Sequence, residues 1–463
     1  MKMKINLNEV TLPTIHTDPK SVILTDDTMM ARKESFLAQM KSHSIDTAII
    51  YADREHGANF EYLTGFIPRF EEALLVVHAT GENYLLLGNE NLKLAAHSRI
   101  EAKAIHVPFF SLPNQPMTGE KTLADHFKES QISPDAAIGI IGWKLFTSSQ
   151  YDNSGLFDLP FYIVDSLIDY VSERTQLKNF AHALISPESG LRTTHNANEI
   201  AHFEYGATLA GIGMFNATQA LEVGKTEKEV GALLAQDGQP NTVTTISAAG
   251  QRFTNATLYP RDNEIKLQDN YSMTVGYKGG LSSRAGFAAY SQDDLPDNQK
   301  DYLEKVGKPY FRAYATWLEN IEVGVVGDKF YSMIEDIFPS EVYGWTLNPG
   351  HYTGDDEWMA SPFYPGSKAE VKSGQMFQVD IIPSVSGYSG ASAEEPIAVA
   401  DQALRDELKQ HYPETWKRIE DRRNYIKNVI QIELSDDVLP LSDTVAFYTP
   451  FFLNKTLAYT KEV

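Results

Sequence analysis

The chain of 463 residues contains no cysteine. Disulfide frameworks, thiolate metal sites and cysteine nucleophiles are thereby excluded, which fits a reducing cytoplasm. Positive charge is also scarce: 40 lysines and arginines stand against 62 aspartates and glutamates, a net charge of −22. Such a surface repels phosphate backbones and anionic lipid, so neither nucleic acid nor a membrane is an expected partner. Long apolar runs are missing too. The N-terminus, MKMKINLNEVTLPTIHTDPK, lacks the apolar segment of a secretory signal, and no run approaches the roughly 20 residues that span a bilayer. A cytoplasmic protein is the expectation. Repeats, low-complexity tracts, a Walker A motif and a dinucleotide glycine fingerprint are likewise absent; Gly211-Ile212-Gly213 has no third glycine and lies within a helical pattern.

What is present is a globular composition, 42% hydrophobic and 22% charged, with 30 glycines and 22 prolines. At about 100 to 200 residues per domain this length gives two or three domains, and two is the working count. Apolar positions at helical spacing over residues 29–40 precede a buried-strand pattern at 47–51, and further strands are expected at 73–77, 84–87 and 137–141. That alternation is α/β. Asn198 is placed to cap a long helix whose apolar face runs from Ile200 to Leu221, with Gly224 closing it. Thr226 and Glu229 have capping-box spacing for a second helix. Strands at 242–247, 271–277 and 375–382 and a helix at 300–320 follow, which implies a mixed or antiparallel sheet surrounded by helices. The charged segment 401–428, interrupted by Pro413, reads as a solvated helical pair. The class is therefore α/β in the broad sense that includes α+β.

The stretches LRTTHNANEIAHFEYGATLAG, LEVGKTEKEV, IEVGVVGDKF, NPGHYTG and GQMFQVDIIP follow one another in an order and spacing that resembles the catalytic domain of aminopeptidase P, prolidase and creatinase, the pita-bread fold. The N-terminal half, with YLTGF at 62–66 and then FEEALLVVHATGENYLLL, is similar to the companion domain of that family. The resemblance spans about residues 30 to 400. It implies a creatinase/prolidase-like domain over 1–190, a pita-bread domain over 195–463 with a helical insertion near 401–428, and a homodimer. A small molecule or short peptide would bind in the cleft of the second domain.

In the peptidase members two divalent metals are held by two aspartates, one histidine and two glutamates, and hard oxygen ligation suits ions such as manganese. By this resemblance His351 matches the metal histidine, Asp380 stands at the first glutamate and Glu394 at the last. The first aspartate corresponds to Thr274 and the second falls near Arg284, and residues 270–292 contain no aspartate or glutamate. A dinuclear centre is therefore not expected; the cofactor is none, or one divalent ion on His351, Asp380 and Glu394. A further family histidine, three residues before Pro260, corresponds to Thr257, which cannot shuttle protons near pH 7.

Several substrate contacts stay open. Arg284 either lies among Asp380, Glu394 and Glu395 as a fixed cation in place of metal, or faces solvent in a shifted strand register. Trp358, in Asp355-Asp356-Glu357-Trp358, either offers its π face to a cationic ligand or belongs to a solvated loop. Arg69 and Phe70 lie near where creatinase contributes an arginine and a phenylalanine across its dimer to grip a carboxylate; the alternative is a surface loop. The serines 384, 386, 389 and 392 lack nucleophile-elbow spacing and read as a turn. The expected activity is hydrolysis of a C–N bond, whether amide, amidino or Xaa-Pro peptide, without the usual dinuclear site. The alternatives are a non-catalytic ligand-binding relative, and an Xaa-Pro peptidase whose atypical ligands, such as Asp355 or Asp293, swing into place.

Overall fold

The computed structural model describes residues 3–117, 119–250 and 258–462. The chain forms two compact units, Leu24–Thr193 and a larger one that joins Met1–Ile23 to Thr194–Val463. The first 23 residues, expected in the smaller domain, thus belong with the larger one. The reason is strand pairing: β1 (Ile5–Glu9) lies antiparallel to the last strand, Leu457–Lys461, from Ile5↔Lys461 to Glu9↔Leu457.

In the smaller unit, β2 (Thr47–Ala52), β3 (Ala73–His78), β4 (Asn83–Leu87), β5 (Lys103–His106), β6 (Ile138–Ile141) and β7 (Leu177–Asn179) make one mixed sheet. Its order is β5-β4-β3-β2-β6-β7. Every residue of β2, β3, β4 and β6 is buried, as strands covered on both faces require. Alternation along β2 divides the cover. Ala48, Ile50 and Ala52 pack with Phe36 and Met40 of the helix Asp26–Ser42, while Ile49 and Tyr51 face the cluster of Phe127, Ile163 and Leu167.

After residue 193 the larger unit resumes with the helix Ala197–Ala220, capped by Asn196 and not by the expected Asn198. A capping box needs its acid at the third helical position, and Glu199 stands three residues after Asn196. Asn198 is instead buried in the first turn, donating to the Ile23 carbonyl at 3.1 Å. Two four-stranded antiparallel sheets follow. One contains β8 (Ile246–Ala249), β9 (Asn270–Tyr277), β10 (Gly280–Phe287) and, after β11 (His351–Tyr352) and β12 (Gln375–Gln378), β13 (Ser392–Glu394). The other orders β11, β12, β14 (Pro396–Val399) and β15 (Val438–Pro440) side by side. Only Glu395 separates β13 from β14, so the chain passes from one sheet to the other at that residue.

The segment 401–428 forms the expected pair of helices, Gln402–His411 and Pro413–Tyr425, with Pro413 at a first-turn position where its missing N–H costs nothing. One face is not solvated. Arg418 and Arg422 are buried against Glu204 of the long helix, with Arg418 Nε to Glu204 Oε1 at 2.9 Å and Arg422 Nη1 to the same oxygen at 2.7 Å. Arg422 also reaches Asp443 at 2.7 Å, and His16 Nδ1 meets that carboxylate at 2.8 Å. Among the described residues no helix is long and apolar enough to cross a membrane.

Candidate active site

The hairpin β9–β10 fixes the first half of the site. Its two-residue turn, Lys278-Gly279, pairs Tyr277 with Gly280 and hence Thr274 with Ser283; β13 then sets Glu394 opposite Ser283. Thr274, Ser283 and Glu394 stand in one row across the sheet. Side chains opposite one another share a face, and the Thr274 and Ser283 hydroxyls are hydrogen-bonded to each other at 2.9 Å.

That register corrects the expectation for Arg284. The residue beside Thr274 and Glu394 is Ser283, and Arg284, one position on, faces the opposite side with Glu395. Its guanidinium bonds Glu395 Oε1 at 2.7 Å and the carbonyls of Thr444 and Phe447 at 2.7 and 3.1 Å. Ser282 and Thr444 hydroxyls complete the Glu395 carboxylate at 2.9 and 2.6 Å. Arg284 is not a solvated side chain, and of the three acids expected around it, Asp380, Glu394 and Glu395, its guanidinium pairs with the Glu395 carboxylate. It is a structural partner of Glu395.

The second half comes from the other sheet, where His351 of β11 pairs with Gln378 of β12 and Asp380 follows two residues later. Gly350, at φ +101°, makes the turn before His351; a Cβ there would lie 3.0 Å from the Gln378 carbonyl and 3.1 Å from the Trp317 ring. His351 is fully buried, with Nδ1 3.1 Å from the Tyr352 carbonyl, so that Nδ1–H donates and Nε2 faces the carboxylates. Glu357, Asp380 and Glu394 oxygens lie 3.3, 3.8 and 3.9 Å from Nε2. Gln378 donates to Glu394 Oε1 at 3.2 Å and to the Leu281 carbonyl at 2.8 Å. Trp358 stacks on the His351 ring with centroids 4.0 Å apart and planes at 29°. The ring that Trp358 meets within the chain is thus that of His351.

Charges converge here without complete partners. Burial opposes protonation of His351, yet the negative charges of Glu357, Glu394 and Asp380 hold its pKa well above the ordinary histidine value. Burial and then the Glu394 charge push Asp380 well above the usual carboxylate range, and burial raises Glu394 too. His351 Nε2, Asp380 Oδ1 and Gln378 Oε1 are buried without a well-formed hydrogen bond. Donor atoms of His351, Asp380 and Glu394 all fall within 4.8 Å of one another. One imidazole and two carboxylates suit a single divalent ion. Where the family resemblance places two more acids, this site has the hydroxyls of Thr274 and Ser283.

Of the residues singled out from sequence, the structure therefore brings His351, Asp380, Glu394 and Trp358 together. Thr257 lies outside the described residues. Arg69 and Phe70 follow the helix Ala58–Thr64 in the smaller unit, with the Arg69 guanidinium 5.2 Å from the exposed Phe70 ring. Gln378 and Ser283 are not marked as site residues by the sequence, and Glu357 stands there only within the acidic stretch Asp355-Asp356-Glu357-Trp358. The register of Ser283 was accessible from Lys278-Gly279 as a two-residue hairpin turn; the approach of Glu357 depends on a loop conformation with no sequence signature.

Residues 32–151 match the family described as the Creatinase/Prolidase N-terminal domain. The prolidase from Pyrococcus horikoshii OT3 is similar in structure, with TM-score 0.60 and 17% identity over 80% of this chain and 95% of that one. The Xaa-Pro dipeptidase from Bacillus anthracis gives 0.59 and 15%, and the X-Pro aminopeptidase from Thermotoga maritima MSB8 gives 0.60 and 15%, both over 80% of this chain and 95% of theirs. No curated protein matches by sequence. The pairing of a creatinase/prolidase N-terminal domain with this second unit, matched along nearly the whole length of prolidases, gives the chain the two-domain pita-bread fold of the prolidase, aminopeptidase P and creatinase family.

Proposed function

We propose that the protein is a hydrolase of a C–N bond in a small polar or proline-containing substrate, working at His351, Asp380, Glu394 and Glu357 with at most one divalent ion. The observation that carries this reading is the row Thr274, Ser283 and Glu394: the sheet that would supply two acids to a second ion supplies a closed pair of hydroxyls. A neutral hydroxyl cannot offset the charge of a divalent ion as a carboxylate does.

The residues divide the work by charge. His351, held cationic by three carboxylates and oriented through Nδ1, is placed to give a proton to the departing nitrogen. Asp380 and Glu394, which compete for protons in a buried space, provide the acceptor for a proton taken from attacking water. Thr274 and Ser283 can exchange their mutual hydrogen bond for bonds to substrate oxygen or nitrogen. A divalent ion held instead by His351, Asp380 and Glu394 would take the Nε2 lone pair, so that His351 would be a neutral ligand and no longer the acid, and the ion would supply a lowered water pKa and polarise the scissile group. A cytoplasmic homodimer is the assembly that accords with this reading.

A second reading, a binding protein without turnover, is favoured by the same Thr274–Ser283 hydrogen bond, since it leaves the sheet satisfied without any ion. An assay panel of Xaa-Pro dipeptides and guanidino compounds separates the two. Turnover that disappears in His351→Ala supports the hydrolase; saturable binding without turnover supports the binder, and turnover unchanged by His351→Ala removes that residue from the mechanism.

A further inference from the structure

The smaller unit has a cavity of about 370 Å³ that the proposed chemistry does not use. Tyr51 and Asp53 bring one wall from the end of β2, and Phe70, Glu71 and Glu72 bring another from the approach to β3. Phe109 and Ser111 follow the short turn Pro108–Phe110, and Tyr162 comes from the helix Phe161–Tyr170. Three carboxylates and four aromatic rings thus line one space, and among the described residues no lysine, arginine or histidine belongs to that lining, the nearest basic side chains being Arg69 over the Phe70 ring and His56 beside Asp53.

The carboxylates are not equivalent. Asp53 is satisfied by the Glu55 and His56 backbone N–H groups at 2.8 and 2.7 Å, by the Tyr51 hydroxyl at 3.1 Å and by His56 Nδ1, 3.2 Å from Oδ2. Glu71 is 2% exposed; its Oε2 accepts from the Glu90 N–H at 2.9 Å, but Oε1 has no partner. Gly88 permits that burial, because a Cβ there would lie 2.4 Å from Glu71 Oε2. Ser111 Oγ, also buried in the lining, is likewise without a partner. An unpartnered buried acid is strongly disfavoured unless something supplies the missing charge or donor. Burial first, and then the Asp53 and Glu72 charges, push the Tyr51 and Tyr162 phenols upward.

A metal ion fits poorly. Among the described residues, three donor atoms of metal-ligand type converge within 4.8 Å at His351, Asp380 and Glu394, and the carboxylates of this cavity make no such group. The volume lies in the range of small-molecule pockets, and aromatic faces beside carboxylates attract organic cations. Phe70 already bears one guanidinium, that of Arg69, on its ring, and it holds φ +63°, a left-handed conformation rare for a bulky residue. Phe109, another lining residue, is exposed.

We infer that this cavity is a binding site for a small organic monocation, an ammonium or guanidinium compound, whose charge meets the carboxylates of Asp53, Glu71 and Glu72 and whose body stacks against Phe70 and Phe109. Its lining residues all belong to the smaller unit, whereas His351, Asp380 and Glu394 belong to the larger one. Isothermal titration of the full chain with choline, with N-methylguanidine and with uncharged 3,3-dimethylbutan-1-ol tests it, the two cations separating an ammonium from a guanidinium preference. The expected result is saturable one-to-one binding of at least one cation, weakened tenfold or more by Glu71→Gln and by Phe109→Ala, and retained in Glu394→Gln. Absence of saturable binding by both cations, equal binding of the uncharged compound, or binding lost in Glu394→Gln and kept in Phe109→Ala would overturn it.

Discussion

Arg284 with Glu395 and His351 with Asp380 are buried charged groups set on adjacent sheets, and they are treated in opposite ways. Around Glu395 every oxygen has partners: the Arg284 guanidinium and the Ser282 and Thr444 hydroxyls, with Arg284 completed by backbone carbonyls. Around His351 three carboxylates crowd one ring at ion-pair distances, and Asp380 Oδ1 is left without a donor. Complete satisfaction is the mark of a structural ion pair, because a buried charge is tolerated only when its attraction and hydrogen bonds offset desolvation. Incomplete satisfaction, with pKa values driven upward, marks a place that awaits a proton, an ion or a substrate. The two sets differ by a single step in strand parity, Ser283 against Arg284 and Glu394 against Glu395.

The comparison can be broken most forcefully at Arg284. Arg284→Met leaves Glu395 buried and uncompensated, and a loss of about 3–5 kcal/mol is expected in urea unfolding at neutral pH. Adding Glu395→Gln should recover part of that loss, since the two substitutions are coupled. On the other side, His351→Ala should reduce turnover by about 10² to 10⁴-fold with the chain still folded by circular dichroism.

A smaller effect sharpens the contrast through pH. Burial works against ionisation of Asp443, but Arg422 and His16 outweigh it and hold the carboxyl down at about 2, from an ordinary 3.8. A depressed acid stabilises the fold above its unfolded pKa, and the contribution is lost as pH falls from the ordinary value through the folded one. Asp443 should therefore contribute about 2 kcal/mol at neutral pH that disappears between about pH 4 and 2. Acid unfolding of Asp443→Asn, compared with the parent chain, should lack that component. Smallest of all, Trp358→Ala removes the indole stacked on His351 and should cost about 1 kcal/mol in thermal unfolding.

Local signals in the sequence identified much of the frame. The buried runs of β2, β3 and β4, the Thr226–Glu229 cap and the helix break at Pro413 are each set by residues a few positions apart. Pairing over long distances was not legible. The N-terminal segment joins the larger unit because Ile5 faces Lys461, a partner that no local pattern names. Arg284 was misplaced because motif spacing locates a strand to within a residue, and a one-residue error reverses every side chain. His351, Asp380 and Glu394 were legible through family resemblance, whereas Glu357 reaches them by a loop path.

The central claim is that the hydroxyl row limits this site to one ion, and metal stoichiometry tests it most directly. Equilibrium dialysis of the full chain against excess manganese, followed by elemental analysis, should give no more than one ion per chain, with Thr274→Asp/Ser283→Asp raising the number toward two. Two ions per chain bound by the unaltered protein would contradict the account.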